Sequence, residues 1–380
     1  MNRTLAWRGL RLGLPLTLLP LALLAACDVP APPVEQLTPI VGSSTKTPVD
    51  PGVPTATAAP MTLPPTGRLW FLRGGHVWTA APDGSGAHAA SASAALSPPV
   101  PSPDGSKVAF LGDHKLLLLD VASGQEQALV VSDMSPDQRP AWSPNGRLVA
   151  YFTLAASPVG DEIAWSMPVA GGTPSRITSL HSPGERQGPT FERCIAWTPD
   201  MRRLAVSGET GPIQVIPLDV TAGNPQTVAG GEPSWSTDNR NLLYTETMNG
   251  AIALDDVVAD DFQPYRNERR LVGVRLQDHA QAPLPRFNAD ASLILYRASS
   301  ADGSPAVAVR LRADGSEQLF VPGNNGAWAP DGQWIVYETG TLRPSETGQE
   351  WQPTGLARVR ADGSGQSPVL SDASWPAWGK

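Results

Sequence analysis

A five-residue pattern recurs along this chain and leaves few folds open to it. An aromatic residue is followed by a small or polar residue, proline, aspartate or asparagine, and glycine. The clearest copies are Trp142-Ser143-Pro144-Asn145-Gly146, Trp197-Thr198-Pro199-Asp200-Met201 and Trp328-Ala329-Pro330-Asp331-Gly332. Weaker copies are Pro101-Ser102-Pro103-Asp104-Gly105, Trp235-Ser236-Thr237-Asp238-Asn239 and Phe287-Asn288-Ala289-Asp290-Ala291. Each copy reads as a hairpin turn. Proline presets φ for the first corner, the Asp or Asn side chain bonds back to nearby backbone, and glycine takes the left-handed position that closes the turn.

An alternating apolar strand follows most copies, as in Lys107–Leu111, Arg147–Tyr151, Leu293–Tyr296 and Trp334–Tyr337. A third strand, a second turn (often Asp-Gly, as at Asp83-Gly84, Asp314-Gly315 and Asp362-Gly363) and a short outer strand complete each unit. The anchor Asp or Asn residues are 41, 55, 38, 52 and 41 positions apart. Four short strands at that spacing match a β-propeller blade. Gly and Pro together contribute 76 residues, too many turn formers for a helical protein.

The two ends set the blade count. Residues 68–86 align without gaps on 107–125, so the domain begins at the second strand of a blade. The missing inner strand reappears as Trp375-Pro376-Ala377-Trp378-Gly379, which mirrors Arg139-Pro140-Ala141-Trp142-Ser143. Six anchors plus this shared blade predict an all-β, seven-bladed β-propeller over 67–380, its four-stranded antiparallel blades closed into a ring by the C-terminal strand. The repeat resembles the WD40-like repeat of TolB-type bacterial proteins, with its Trp-Ser-Pro-Asp-Gly signature. That resemblance covers essentially all of 67–380 and implies the fold; propellers of this kind serve many functions.

Residues 1–27 are predicted to be an export signal. Arg3, Arg8 and Arg11 precede an apolar run, Leu12–Leu24, which is shorter than the ~20 residues a membrane-spanning helix needs. The ending Leu24-Ala25-Ala26-Cys27 resembles the lipobox of bacterial lipoproteins and implies that Cys27 is lipidated. Residues 28–66, with ten prolines, seven threonines and no aromatic residue, read as a disordered tether. The protein is therefore expected on the extracytoplasmic side of the cytoplasmic membrane or cell envelope, held by Cys27. Cys194, in Arg193-Cys194-Ile195-Ala196-Trp197, reads as a buried, inert thiol on an inner strand.

Charge narrows the partners. The net charge is −8, and removal of the first 27 residues makes it −11. No basic cluster is present, so nucleic acid is not an expected partner. No Gly-x-Ser-x-Gly elbow occurs, the five histidines are scattered, and the chain ends where the propeller closes, which leaves no room for an appended hydrolase domain. No catalytic residue, metal ligand or cofactor is assigned. Asp255, Asp256, Asp260 and Asp261 lie close in sequence but lack a calcium-loop pattern.

Extra length falls in 154–162, 247–270 and 339–354, read as loops after second strands, and in 178–192 between blades. All four are expected on one face, and insertions gathered on one face mark a binding face. Residues just before the anchors on that face are Arg139, Arg193, Glu232, Asn325 and Trp375, predicted to ring the channel mouth and contact a ligand or partner peptide. The expected function is a monomeric, non-enzymatic binding scaffold for an envelope protein or ligand. The alternative is a carbohydrate-active or other hydrolytic propeller with a channel-mouth site. Replacement Cys27→Ser is expected to abolish the lipid mass adduct and move the protein from the membrane to the soluble fraction; unchanged membrane retention would contradict the anchor.

Overall fold

The computed structural model of the chain describes residues 65–380 except 132–133, 135–137, 155–160, 181–190, 210–211, 220–223, 247–251, 259–260, 263–268, 273–283, 301 and 346–347. The signal, Cys27 and nearly all of the tether lie outside the described residues.

All six anchors fold into one kind of turn. The backbone N–H of the fifth residue donates to the carbonyl of the second, as in Gly105 to Ser102, Met201 to Thr198 and Ala291 to Asn288. The fourth-position side chain accepts from the N–H two residues on: Asn145 from Arg147 at 3.0 Å, Asp200 from Arg202 at 3.0 Å and Asp331 from Gln333 at 2.8 Å. The second-position oxygen then accepts from the first N–H of the next strand, as Ser143 does from Leu148 and Thr198 from Arg203, both at 2.9 Å. Five of the six anchors have Ser, Thr or Asn there, side chains able to make this bond. The fifth residue has positive φ throughout, 73° at Gly105 and 67° at Gly146, but also 61° at Met201, 59° at Asn239 and 58° at Ala291. The surrounding hydrogen bonds thus impose the left-handed corner even where glycine is missing, against a local cost of about 1 kcal/mol or more.

The described strands form seven antiparallel sheets. Blade 1 combines the C-terminal strand Ser374–Gly379 with Arg68–Arg73, His76–Ala80 and His88–Ala94. Its register pairs Leu69 with Trp378 and Arg68 with Gly379, the closure expected from the chain ends. Blades 2 to 7 begin with the inner strands Val100–Pro101, Ala141–Trp142, Cys194–Trp197, Gly230–Trp235, Arg286–Phe287 and Asn324–Trp328.

Alternation along the strands explains where the core lies. In blade 3, Val149 and Tyr151 join a cluster with Leu111, Leu116 and Leu118 of blade 2. Their neighbours Ala150 and Phe152 face the other way, against Ile195, Leu204 and Val206 of blade 4. Successive side chains leave a strand on opposite sides, so each sheet is buried on both faces. The described residues contain seven such clusters, one between each pair of adjacent blades. One of them packs Leu69 and Phe71 of blade 1 against Trp334 and Val336 of blade 7 and closes the circle.

Anchor tryptophans join the blades a second way. The indole N–H donates to an inner-strand carbonyl of the preceding blade: Trp142 to Val100 at 2.9 Å, Trp197 to Ala141 at 3.3 Å, Trp235 to Ala196 at 3.2 Å and Trp328 to Arg286 at 3.3 Å. In each case the acceptor immediately precedes the previous anchor. Trp378, at the ring closure, instead bonds the Thr66 carbonyl at 2.9 Å and pins the start of the domain.

Two expectations about insertions need correction. Residues 339–354 are not a loop; they extend strands Trp334–Ser345 and Gly348–Arg360 into one long hairpin, paired as far as Ser345 and Gly348. Nor is 247–270 one loop after a second strand. The third strand of blade 5 is already Ile252–Val258, and it runs past its pairing with Asn241–Glu246 to pair with Asp261–Phe262. Part of that excess therefore follows the third strand, on the face of the anchor turns. An alternating segment that begins so soon after the second strand builds its own ladder, which the acidic composition of the segment obscured. The side chains of Asp255, Asp256, Asp260, Asp261 and Arg269–Arg270 lie outside the described residues.

Replacement Trp142→Phe keeps an aromatic side chain but removes the N–H that reaches Val100, together with part of the ring that packs in the blade 2–blade 3 core. We expect a loss of about 1 kcal/mol of unfolding free energy by denaturant titration, with the fold unchanged; no loss would show that the indole bond contributes nothing.

Candidate functional site

Inner strands enter the ring through a repeated distortion. Three residues before the anchor aromatic, φ is positive at Glu232 (57°), Leu284 (47°), Asn325 (47°) and Trp375 (51°). In three of the four, the N–H turned aside in this way is captured by a side chain of the preceding blade. Glu232 donates to Ser207 Oγ at 3.2 Å, Leu284 to Glu232 Oε2 at 2.6 Å and Trp375 to Glu338 Oε1 at 2.6 Å. Asn325 donates to Asn324 Oδ1 at 2.9 Å. Left-handed backbone at non-glycine residues costs on the order of 1–3 kcal/mol each. A bond to a carboxylate is the stronger kind and offsets that cost.

Between the inner strands lies a cavity of about 470 Å³. Most of the residues that line it are apolar in type, among them Val100, Pro140, Ala141, Ile195, Pro376 and Ala377, with Trp142, Trp197, Trp328 and Trp378. The charged residues that line it are Arg139, Glu192, Arg193 and Arg286. Volume and composition match those of small-molecule or peptide sites, mostly apolar with a few fixed polar groups.

Arg139 holds the centre of this end. Its guanidinium lies over the Trp375 ring, 5.0 Å from the centroid, and its Nε is 3.4 Å from Glu192 Oε2. Neither Nε nor Nη2 makes a hydrogen bond, although both atoms are buried. Glu192 also pairs with Arg297, whose Nη2 is 2.8 Å from Oε1. Arg297 in turn lies 3.8 Å from Glu232 and 3.5 Å from Asn325 Oδ1. One charged network therefore links residues of blades 1, 3, 4, 5, 6 and 7. Arg286 donates to the Pro285 carbonyl at 2.9 Å and to Cys194 Sγ at 3.3 Å, and has no carboxylate partner among the described residues.

Burial and charge set the ionisation here. Burial alone would raise Glu192, but the Arg297 and Arg139 guanidinia outweigh it and hold its carboxyl at about 2. Glu232, wholly inaccessible, is pushed upward by burial, with Arg297 opposing. Burial lowers Arg139 from the usual guanidinium value; Glu192 opposes this, and Arg297 and Arg286 add to it. Burial also raises the Cys194 thiol, the inert behaviour expected of it.

The five predicted residues thus separate. Arg139 and Trp375 form a stacked pair, with Arg139 lining the cavity. Asn325 is buried and joins the network through Arg297. Arg193 lines the cavity, but its guanidinium is taken by Glu162 and by Glu209 at 3.0 Å. Glu232 is wholly buried, and its carboxylate accepts from the Leu284 and Glu192 N–H groups and the Thr245 hydroxyl. Sequence reasoning missed Arg297, Arg286 and Glu192. Arg297 had a signal. The residue after the second-strand aromatic or its equivalent is apolar in blades 1 to 3 (Leu72, Leu111, Phe152) and polar in blades 4 to 7 (Ser207, Thr245, Arg297, Glu338).

Carboxylates with a depressed folded pKa contribute stability above their unfolded value, lost as pH falls through the folded one. For Glu192 the window is pH 4.5 down to about 2. Glu232, raised, acts oppositely: its contribution is present below its unfolded value and fades as pH rises. Thermal melts of Glu192→Gln across that window should depend less on pH than those of the parent; an identical profile would contradict the pairing.

No protein-family model matches the chain. The similar solved structures share low sequence identity with the chain. An oligogalacturonate lyase in complex with manganese shares 14% identity over 70% of this chain and 79% of that one, at a TM-score of 0.52. A Bacteroides uniformis protein assigned as a 6-phosphogluconolactonase shares 12% over 82% and 98%, at 0.50. TolB from Acinetobacter baumannii shares 16% over 82% of this chain, at 0.49, and the chain spans 66% of that protein, just under two thirds. At such identities the likeness is one of fold. The chain is a seven-bladed β-propeller whose structural neighbours include TolB.

Proposed function

We propose that this chain is an exported, lipid-anchored propeller of the bacterial cell envelope that binds a partner protein or ligand at its channel mouth. The observation that carries the reading is Arg139: a guanidinium stacked on Trp375, lining a 470 Å³ cavity, with two buried nitrogens that lack hydrogen bonds. Buried donors are ordinarily satisfied, so a cavity-lining guanidinium short of acceptors favours an incoming one, which would have to displace the groups that now cover it. The basic, apolar and Leu-Ala-Ala-Cys order at the N-terminus supports export and attachment through Cys27.

Binding fits the site better than hydrolysis. The carboxylates beside the cavity are both committed, Glu192 to two guanidinia and Glu232 to two backbone N–H groups and a hydroxyl. A glycosidase needs a pair of carboxyl groups free to transfer protons or attack.

Affinity capture from solubilised membranes tests the reading. The full chain is expected to retain one recurrent envelope partner that the double variant Arg139→Ala/Trp375→Ala loses. Identical capture by both proteins would overturn the channel mouth as the contact surface.

A further inference from the structure

We propose that the channel takes a singly charged carboxylate, bound between the guanidinia of Arg139 and Arg286 with its organic body against the apolar channel wall. This rests on the channel reading above and names the ligand chemistry.

Charge distribution carries the inference. Arg139, Arg193 and Arg286 line the cavity, and Arg297 stands against Glu192. Glu192 and Glu232 supply two carboxylates, and Arg297 lies against both. Arg286, spent only on a carbonyl and a thiol, has no acidic partner among the described residues. Arg139 shares Glu192 at 3.4 Å and leaves Nη2 open. Arg286 is the cavity-lining guanidinium with no carboxylate at ion-pair distance among the described residues, so an incoming carboxylate is its natural partner. Guanidinium pairs with carboxylate in fixed planar geometry, so two of them select shape as well as charge.

A dianion fits less well. Arg193, also on the cavity wall, stands between Glu162 and Glu209 and adds net negative charge nearby. A doubly charged phosphate therefore meets about twice the repulsion that a monocarboxylate does. The wall favours a carboxylate with a flat or aliphatic body: the four indoles have their N–H groups occupied by backbone carbonyls and offer only ring faces and edges. Such a carboxylate comes from a small organic acid or from the C-terminus of a peptide.

Calorimetric titration of the full chain in mild detergent tests this with five probes: benzoate, benzamide, phenyl phosphate, a tetrapeptide with a free C-terminal acid, and its amide. Benzoate should bind at least tenfold more tightly than benzamide or phenyl phosphate. Tighter binding of the peptide acid than of benzoate assigns a chain terminus, and the reverse assigns a small acid. Arg139→Gln should weaken benzoate about tenfold, and Arg286→Gln should do likewise; circular dichroism verifies folding, and Arg139→Lys, which keeps the charge, should restore part of the affinity. Equal binding of benzamide, preference for phenyl phosphate, or no effect of either glutamine variant overturns the proposal. No binding of any probe while Arg139→Ala/Trp375→Ala still loses its captured partner overturns the carboxylate and leaves the channel-mouth reading intact.

Discussion

A single blade cannot bury both faces of its own sheet, and the whole structure follows from that. Each second and third strand sends alternate side chains to opposite sides, so every blade needs a neighbour on each flank. A row of blades would leave two apolar faces in water; the ring leaves none. The packing of Leu69 and Phe71 against Trp334 and Val336 is what turns the row into a ring. Arg73 reinforces the seam with bonds to the Ser371 and Asp372 carbonyls, and Arg358 with one to Pro82.

The same closure creates the channel and determines its chemistry. Inner strands line the channel side by side, and their distorted first residues need hydrogen-bond partners from the preceding blade. Carboxylates at Glu232 and Glu338 serve that need. Glu338 also accepts from Trp351 Nε1 at 3.2 Å, which ties the base of the long hairpin to Trp375 and hence to Arg139. Buried charges of this kind contribute little net stability, because desolvation offsets much of the attraction. They do fix geometry. A network that spans six blades yet leaves guanidinium nitrogens open is poorly explained by stability alone.

Much of the fold was legible in the sequence because its cause is local. Pro, Asp or Asn, and Gly at set positions specify the turn chemistry, and the anchor Trp marks the inner strand. Even the closure was visible, since Trp375–Gly379 repeats a pattern whose partners lie 300 residues away. The site was legible in part. Position relative to the anchor put Arg139 and Trp375 together, with Arg139 on the cavity wall, but the same rule selected Glu232, whose side chain is wholly buried. Which way a residue at a left-handed position points depends on the neighbouring blade, and that has no local signature. Glu192 was missed because it precedes the inner strand by two residues, and Arg297 because the polar half of the second-strand ring emerges only when all seven blades are aligned. The segment 247–270 failed for a different reason: its carboxylates suggested a loop, whereas Ile252–Val258 alternates well enough to form the third strand.

The central claim is that the channel mouth, and not the opposite face with its short anchor turns, is where the protein meets its partner. Site-specific photocrosslinking in intact cells tests it most directly, with the photoreactive residue placed at Trp375 or at Leu218, an exposed position just after a third strand. The account predicts a discrete adduct from position 375 and none from 218. Adducts from 218 with none from 375 would contradict it.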